Sequence, residues 1–250
     1  MSATAHPVPV VQALGLTKRF QGLVSVDGVS FSIAANEILG LIGPNGAGKT
    51  TLVNMIGGTI APSAGELLFE GKPITDAPVH RRAHAGIGRT FQVMKPFPGM
   101  TALENVTVGA LFGRDGGLKD MGKAREAARG WLEFTGLGRR IDTRADELGG
   151  PDRKRLEFAK ALALRPKLLL LDEVMAGLNP VEVDEVIELI KAVRGRGVAL
   201  LVIEHVVKAI RRLSDRVMVL HHGQKIAEGD PASVLSDPRV VEAYLGKKRT

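Results

Sequence analysis

The chain has 250 residues, 44% apolar and 24% charged, which suits one α/β domain, or a core with an inserted lobe, and is ample for a buried core. No apolar run approaches the ~18 residues a bilayer span needs; the longest candidate, Val198–Ile203, stops at Glu204, and no basic stretch followed by an apolar one marks a secretory signal. The absence of cysteine excludes disulfides and thiolate metal sites and is compatible with the cytosol, while the net charge of +7 is spread along the chain rather than gathered into a block for nucleic acid or an anionic membrane.

Residues 1–9, small residues with two prolines, read as a flexible tail. Val10–Ile33 alternates apolar and polar residues in short runs, and breaks at Gln21-Gly22 and Asp27-Gly28 predict antiparallel strands joined by turns. Phe20 ends one such run, either as a core aromatic or as a ring for stacking on a nucleobase. Ile38–Ile42 reads as a buried strand, followed by a glycine-rich turn and by Lys49-Thr50-Thr51, which opens a predicted helix. Gly43, Gly48, Lys49 and Thr50 fit the phosphate-binding spacing G-x-x-x-x-G-K-[ST], and the strand before and helix after set the match apart from a chance glycine turn. Gly43, Gly46 and Gly48 allow backbone conformations that a Cβ resists, so successive N–H groups can point into one concavity at the positive end of the helix. Lys49 would reach the β- and γ-phosphates of a bound nucleotide, and the Thr50 hydroxyl would ligate Mg²⁺.

Gly65–Phe69 with the Glu70-Gly71-Lys72 turn predicts another hairpin edge, and Asp76–Ala85 a short helix. His80 and His84 lie four apart on that helix, a solvated face rather than a metal site, since two histidines without a carboxylate make a poor ligand set. Ile87–Phe91 reads as a strand ending at Gln92, and Val93–Met100 as an apolar, proline-containing loop that is either a buried connector or a docking surface. From Thr101 to Arg165 the period becomes helical (Thr101–Phe112, Lys123–Phe134, Leu156–Leu164), with a glycine-rich break at Gly113–Gly117 and Pro151 placed at a first helical turn.

Lys167–Leu171 is a second apolar strand, ending at Asp172-Glu173. A phosphate loop plus a distant strand ending in acid is the two-part arrangement of nucleotide hydrolases. Asp172 would hold the Mg²⁺ shell and Glu173 would orient or deprotonate the attacking water, two roles that explain successive acids better than helix capping does. Helix Val181–Arg194 leads to a third apolar strand, Val198–Ile203, ending at Glu204-His205 on the same carboxyl edge, where His205 is favoured for contact with the γ-phosphate. Arg216–Leu220 and Lys225–Ala227 read as closing strands, and Asp230-Pro231 and Asp237-Pro238 as caps of two short terminal helices, the last ending at Gly246.

Together these residues resemble the ATP-binding subunits of ABC transporters, over nearly the whole chain. Gly43–Thr51, including Asn45, Gly46 and Thr51, looks like the Walker A motif, Gln92 like the Q-loop glutamine, Leu168–Asp172 like Walker B and Glu173 like the catalytic glutamate. Ala176-Gly177-Leu178-Asn179 is similar to the D-loop, with Asn179 where most of the family has Asp, and His205 to the switch histidine; Phe20 falls where the family has its base-stacking aromatic. More narrowly, Arg89-Thr90-Phe91-Gln92, Ala176-Gly177-Leu178-Asn179-Pro180 and Ala243-Tyr244-Leu245-Gly246 resemble the branched-chain (hydrophobic) amino-acid uptake subfamily, although urea and amide importers and a lipopolysaccharide exporter share much of this pattern.

The resemblance implies an α/β fold: a P-loop (RecA-like) core with an N-terminal antiparallel β subdomain and an inserted α-helical subdomain. Residues 10–246 would form the ATPase domain, with 10–92 and 166–246 as nucleotide-binding core and about 93–165 as the helical lobe. It further implies ATP and Mg²⁺ as cofactors, with Gln92 among the metal ligands. The partners would be transmembrane permease subunits, a second ATP-binding subunit and, indirectly, a periplasmic or extracellular substrate-binding protein. The subunit would sit peripherally on the cytoplasmic face of the inner (plasma) membrane. The departure is the signature loop: the family pattern Leu-Ser-Gly-Gly-Gln, or Leu-Ser-Tyr-Gly-Gln in this branch, is Leu148-Gly149-Gly150-Pro151-Asp152 here. Gly149 lacks the hydroxyl, Pro151 lacks an N–H, and Asp152 adds negative charge, so Gly149 and Gly150 are what remains to face a partner's ATP, and an asymmetric pair of different subunits is expected. A nucleic-acid-associated ABC ATPase is the competing class, disfavoured because the chain has one nucleotide domain, no long coiled coil and no cysteine-bound zinc.

Overall fold

The computed structural model describes residues 8–90 and 95–245 and builds them on two sheets. Most of the expected tail therefore lies outside the described residues, as do Phe91, Gln92, Val93, Met94 and Gly246. In chain order the strands are β1 (Val11–Phe20), β2 (Leu23–Ile33), β3 (Ile38–Ile42), β4 (Ala64–Phe69), β5 (Lys72–Pro73), β6 (Ile87–Arg89), β7 (Leu168–Asp172), β8 (Ala199–Ile203), β9 (Arg216–His221) and β10 (Gln224–Gly229). The helices are α1 (Lys49–Gly57), α2 (Val79–Ala85), α3 (Ala102–Phe112), α4 (Met121–Phe134), α5 (Gly150–Ala163), α6 (Pro180–Arg194), α7 (Val207–Leu213), α8 (Pro231–Leu235) and α9 (Pro238–Leu245).

The larger sheet has the order β10-β9-β3-β8-β7-β6, parallel except for β10; the smaller is antiparallel in the order β2-β1-β4-β5. Every residue of β3, β7 and β8 is buried, because both faces of this sheet are covered and each face takes alternate side chains. Leu39, Leu41, Leu170, Leu201 and Met218 pack toward α1 and the antiparallel sheet, whereas Ile38, Leu169, Leu171, Val202 and Val217 pack toward α6 and α7. Between β6 and β7 the chain forms α3, α4 and α5, which share a cluster of their own around Val106, Ala128, Leu132 and Leu156. α5 belongs to both bodies, since Phe158, Ala161 and Leu162 on its other side enter the main core.

The expected α/β architecture thus forms, with three local differences. Asp27-Gly28 is not a turn: β2 runs through it, and Gly28 (φ 60°) sits in a bulge with its N–H donated to Thr17 Oγ1 at 2.9 Å. The helix expected from Asp76 starts at Val79, preceded by Pro78 in extended conformation. Helix α7, which has no capping side chain at Val206, carries no terminal signal in the sequence and forms because Ala209, Ile210 and Leu213 bury against the sheet.

Candidate functional site

The carboxyl ends of β3, β7 and β8 converge. The Asp172↔Ile203 and Leu41↔Ile203 registers set the phosphate-loop turn, Asp172-Glu173 and Glu204-His205 side by side on one sheet edge. In the turn, Gly43 (φ 152°) and Gly48 (φ 101°) hold conformations that L-residues avoid, and their surroundings forbid a side chain as well: a Cβ would come within 2.1 Å of the Leu220 carbonyl oxygen at Gly43 and 2.4 Å of the Ser25 carbonyl oxygen at Gly48. Gly46 (φ 77°) has open space, and Asn45 and Gly46 are exposed on the rim. Helix α1 starts at Lys49 with no side-chain cap and no acid in its first turn, so its positive end is left uncompensated by its own residues.

Lys49 is buried, and its Nζ donates to Gly43 O (2.7 Å) and Pro44 O (2.9 Å). Burial pushes its ammonium down, against the pull of Glu173 and Asp172. Thr50 is exposed at the mouth, while the Thr51 hydroxyl lies 2.8 Å from Ser25 Oγ. Asp172 is 3% exposed; burial raises its carboxyl, opposed by Arg89, whose Nη2 stands 3.2 Å from Asp172 Oδ2 while Nη1 donates to Asn54 Oδ1 at 2.6 Å. Glu173 takes a positive φ of 53° and pairs with His205, with Oε1 and Nε2 2.6 Å apart. Phe20 is 44% exposed, with Lys18 Nζ 5.1 Å from its ring centroid, which rules out the core-aromatic alternative. Gln92 lies outside the described residues.

Gly149 caps the start of α5 with ordinary extended angles (φ −67°, ψ 167°), no side chain bonds the helix terminus, and a Cβ at Gly149 or Gly150 would meet nothing within 4 Å. Asp152 lies in the first turn of α5 with Arg140 Nε 3.9 Å from its Oδ2, a placement that suits the helix dipole. Asn179 accepts the Val181 and Glu182 N–H groups in a capping box at α6, so its departure from the usual residue leaves a good cap. His80 and His84 are exposed, and among the described residues no cluster of three or more His, Cys, Asp or Glu is arranged for a metal. Mg²⁺ takes one or two protein oxygens and completes its shell with phosphate and water. Asp172 and the Thr50 hydroxyl supply that chemistry.

Four residues in or beside this site carried no role in the sequence reading. Arg89 holds Asp172 and is itself held by Asn54, Glu204 lies buried beside His205, and burial raises the pKa of the Tyr244 hydroxyl on α9. Arg89 and Tyr244 stand in stretches that carry the subfamily resemblance, but nothing in those stretches shows what they touch, since Arg89 reaches Asp172 and Glu204 reaches Met175 only across the fold.

A family model described as ABC transporter matches residues 26–176, and one described as branched-chain amino acid ATP-binding cassette transporter matches residues 224–249. The high-affinity branched-chain amino acid transport ATP-binding protein BraF of Pseudomonas aeruginosa is 37% identical to this chain, covering 96% of the chain and 98% of BraF. LivG of Escherichia coli K12, of the same description, is 36% identical with the same coverage of 96% and 98%. Among solved structures, a nucleotide-free ATP-binding cassette from an ABC transporter is similar with a TM-score of 0.87 at 33% identity, covering 96% of this chain and 100% of that one.

Proposed function

This chain belongs to the ABC transporter family of ATP-binding proteins, and we propose that it hydrolyses ATP to drive uptake of branched-chain or other hydrophobic amino acids through membrane subunits. The observation that carries the reading is the single sheet edge on which a turn that admits no side chain at Gly43 or Gly48 lies beside Asp172 and the Glu173–His205 pair. In this reading residues 10–92 and 166–246 are the nucleotide-binding core and about 93–165 the helical lobe.

Backbone N–H groups of the turn, those of Gly46 and of residues 48–51 among them, and the positive end of α1 bind the triphosphate, and Lys49 exchanges its two carbonyl partners for phosphate oxygens. Phe20 offers its exposed ring to the base. Thr50, Asp172 and Gln92 would hold Mg²⁺, which when bound offsets charge on the β- and γ-phosphates. Glu173 takes the proton of the attacking water as its oxygen bonds the γ-phosphorus and the bond to ADP breaks; His205 orients that carboxylate and reaches the γ-phosphate. Gly149 and Gly150 face the ATP of a second, different subunit, and without a hydroxyl there, and with no N–H at Pro151, that second site turns over slowly. Phe97 and Phe112, the latter 63% exposed, border a cavity of about 370 Å³ with Asn105, Val108 and Lys160, a surface suited to an apolar segment of a membrane subunit. Since no described helix is long and apolar enough to cross a membrane, attachment to the cytoplasmic face would come through that contact.

Calorimetry of the full chain with Mg-ATP tests the binding step: the expected result is association that Lys49→Ala abolishes, and no association in either would overturn the proposal. Single-turnover hydrolysis in the assembled transporter tests the asymmetry. Glu173→Gln should lower the rate ~10²–10³-fold, within the usual range for loss of a general base. The equivalent change in the partner should do far less, and equal losses would exclude unequal sites.

A further inference from the structure

We infer that Lys154 and Glu204 are positioning residues for this hydrolysis: from two sides they clamp the loop 174–178 and thereby hold Glu173 in register with His205. The inference rests on the ATPase reading above and adds two residues to it.

Glu173 is a non-glycine residue in the left-handed region (φ 53°), a conformation that persists only where its surroundings over-determine it. Its own N–H donates to Ile203 O at 3.0 Å, and the loop beyond it closes on itself through Ala176 N–H to Glu173 O (3.2 Å) and Leu178 N–H to Met175 O (3.2 Å). Those bonds shape the loop without tying its outer half to a neighbour. Two charged side chains supply the ties. Glu204, 3% exposed at the end of β8, accepts the Met175 N–H at 2.8 Å. Lys154, in the second turn of α5, donates from Nζ to Val174 O at 3.4 Å and to Ala176 O. One loop of five residues thus gives an N–H to a carboxylate on one strand and two carbonyls to an ammonium on a helix.

A packing role does not explain this choice. Burial pushes the Glu204 carboxyl up to about 7, with Glu173 adding to the cost, and burial likewise lowers the Lys154 ammonium against Glu204 and Glu182. An apolar residue would fill the Glu204 place without that cost, and Met175 and Leu171 already supply apolar core. What charged groups add is directional bonding that specifies one loop geometry. Lys154 also stands four residues after Gly150, so a shift of α5 against the sheet acts on the Val174 and Ala176 carbonyls and through them on Glu173.

The experiment uses the full chain carrying Lys154→Met, Lys154→Arg, Glu204→Leu or Glu204→Gln. Hydrogen exchange of the amides of residues 174–178, without nucleotide, reads the clamp directly. The Met175 amide should exchange at least about tenfold faster in Glu204→Leu and near the parent rate in Glu204→Gln, whose amide oxygen keeps the bond. In the assembled transporter, Lys154→Met and Glu204→Leu should lower kcat about tenfold with KM for Mg-ATP within about threefold, while Lys154→Arg and Glu204→Gln restore kcat. Unchanged Met175 exchange in Glu204→Leu, an unchanged kcat in Lys154→Met, or a raised KM at constant kcat would overturn the clamp. Should Glu204→Leu fail to fold, Lys154→Met on the helix surface decides alone through kcat and through exchange at 174–178. Failure of the parent to bind Mg-ATP would instead overturn the ATPase reading, while the exchange measurement still reports on the clamp.

Discussion

Glycine occurs in two helix-opening segments, and for opposite reasons. Before α1, Gly43 and Gly48 combine positive φ with backbone oxygens standing where a Cβ would be, so no other residue fits. Before α5, Gly149 has angles open to any residue and Gly150 starts the helix, with open space beside both. The first pair is dictated by strands β2 and β9, which close around the turn; the second is simply the loss of side chains. The same residue type therefore marks a built concavity in one place and a missing capping group in the other.

The largest effect should come from forcing a side chain into the first segment. Gly43→Ala should destabilise the chain by about 2–5 kcal/mol, the sum of overpacking and a left-handed alanine, and should abolish Mg-ATP binding. Thermal melting and calorimetry check both, and a fully stable, binding variant would erase the distinction. Next in size is the loop tethered to α5. Glu204, with its pKa raised from the usual 4.5 to about 7, is neutral in both folded and unfolded chains at low pH. Between pH ~4.5 and about 7 the unfolded chain ionises this carboxyl while the folded chain holds it protonated, so the stability present below pH ~4.5 is lost progressively, by on the order of 3 kcal/mol, and levels off once pH passes the folded value of about 7. Melting of Glu204→Gln against the parent from pH 4.5 to 8 should show the parent losing ground up to about pH 7 and then running level with the variant's slope, and curves parallel over the whole range would contradict the buried carboxyl. The smallest effects belong to the second glycine segment. Gly149→Ser should gain a few tenths of a kcal/mol through the restored cap and raise turnover at the partner's site, whereas Gly150→Ala should stay within about 0.5 kcal/mol of the parent. Chemical denaturation measures the first and last of these, and single-turnover rates the second.

Strand burial, the order of elements and the acids at strand ends were legible because each rests on short-range pattern: apolar runs bounded by turns, and glycine spacing between a strand and a helix. The Asp27-Gly28 break misled because a bulge and a turn use the same residues, and only the pairing of β1 with β2 separates them. Arg82 shows the same limit. It sits between exposed histidines on α2, yet its side chain is buried and donates to Met55 O (2.5 Å), Ile56 O (2.8 Å), Thr75 O (2.8 Å) and Ala77 O (2.7 Å), closing the carbonyl end of α1.

By itself, the amino-acid sequence determined which segments could bury themselves, where the chain had to turn, and that a phosphate cradle and a pair of acids were available. Tertiary structure alone decided that Arg89 would hold Asp172, that Lys154 and Glu204 would meet on one loop, and that Gly43 and Gly48 would be irreplaceable while Gly149 would not. The physical reason is distance along the chain. Hydrophobic periodicity is a property of neighbours, whereas an ion pair between residues 89 and 172, or a carbonyl closing over a glycine from residue 220, exists only after the sheet has brought them together.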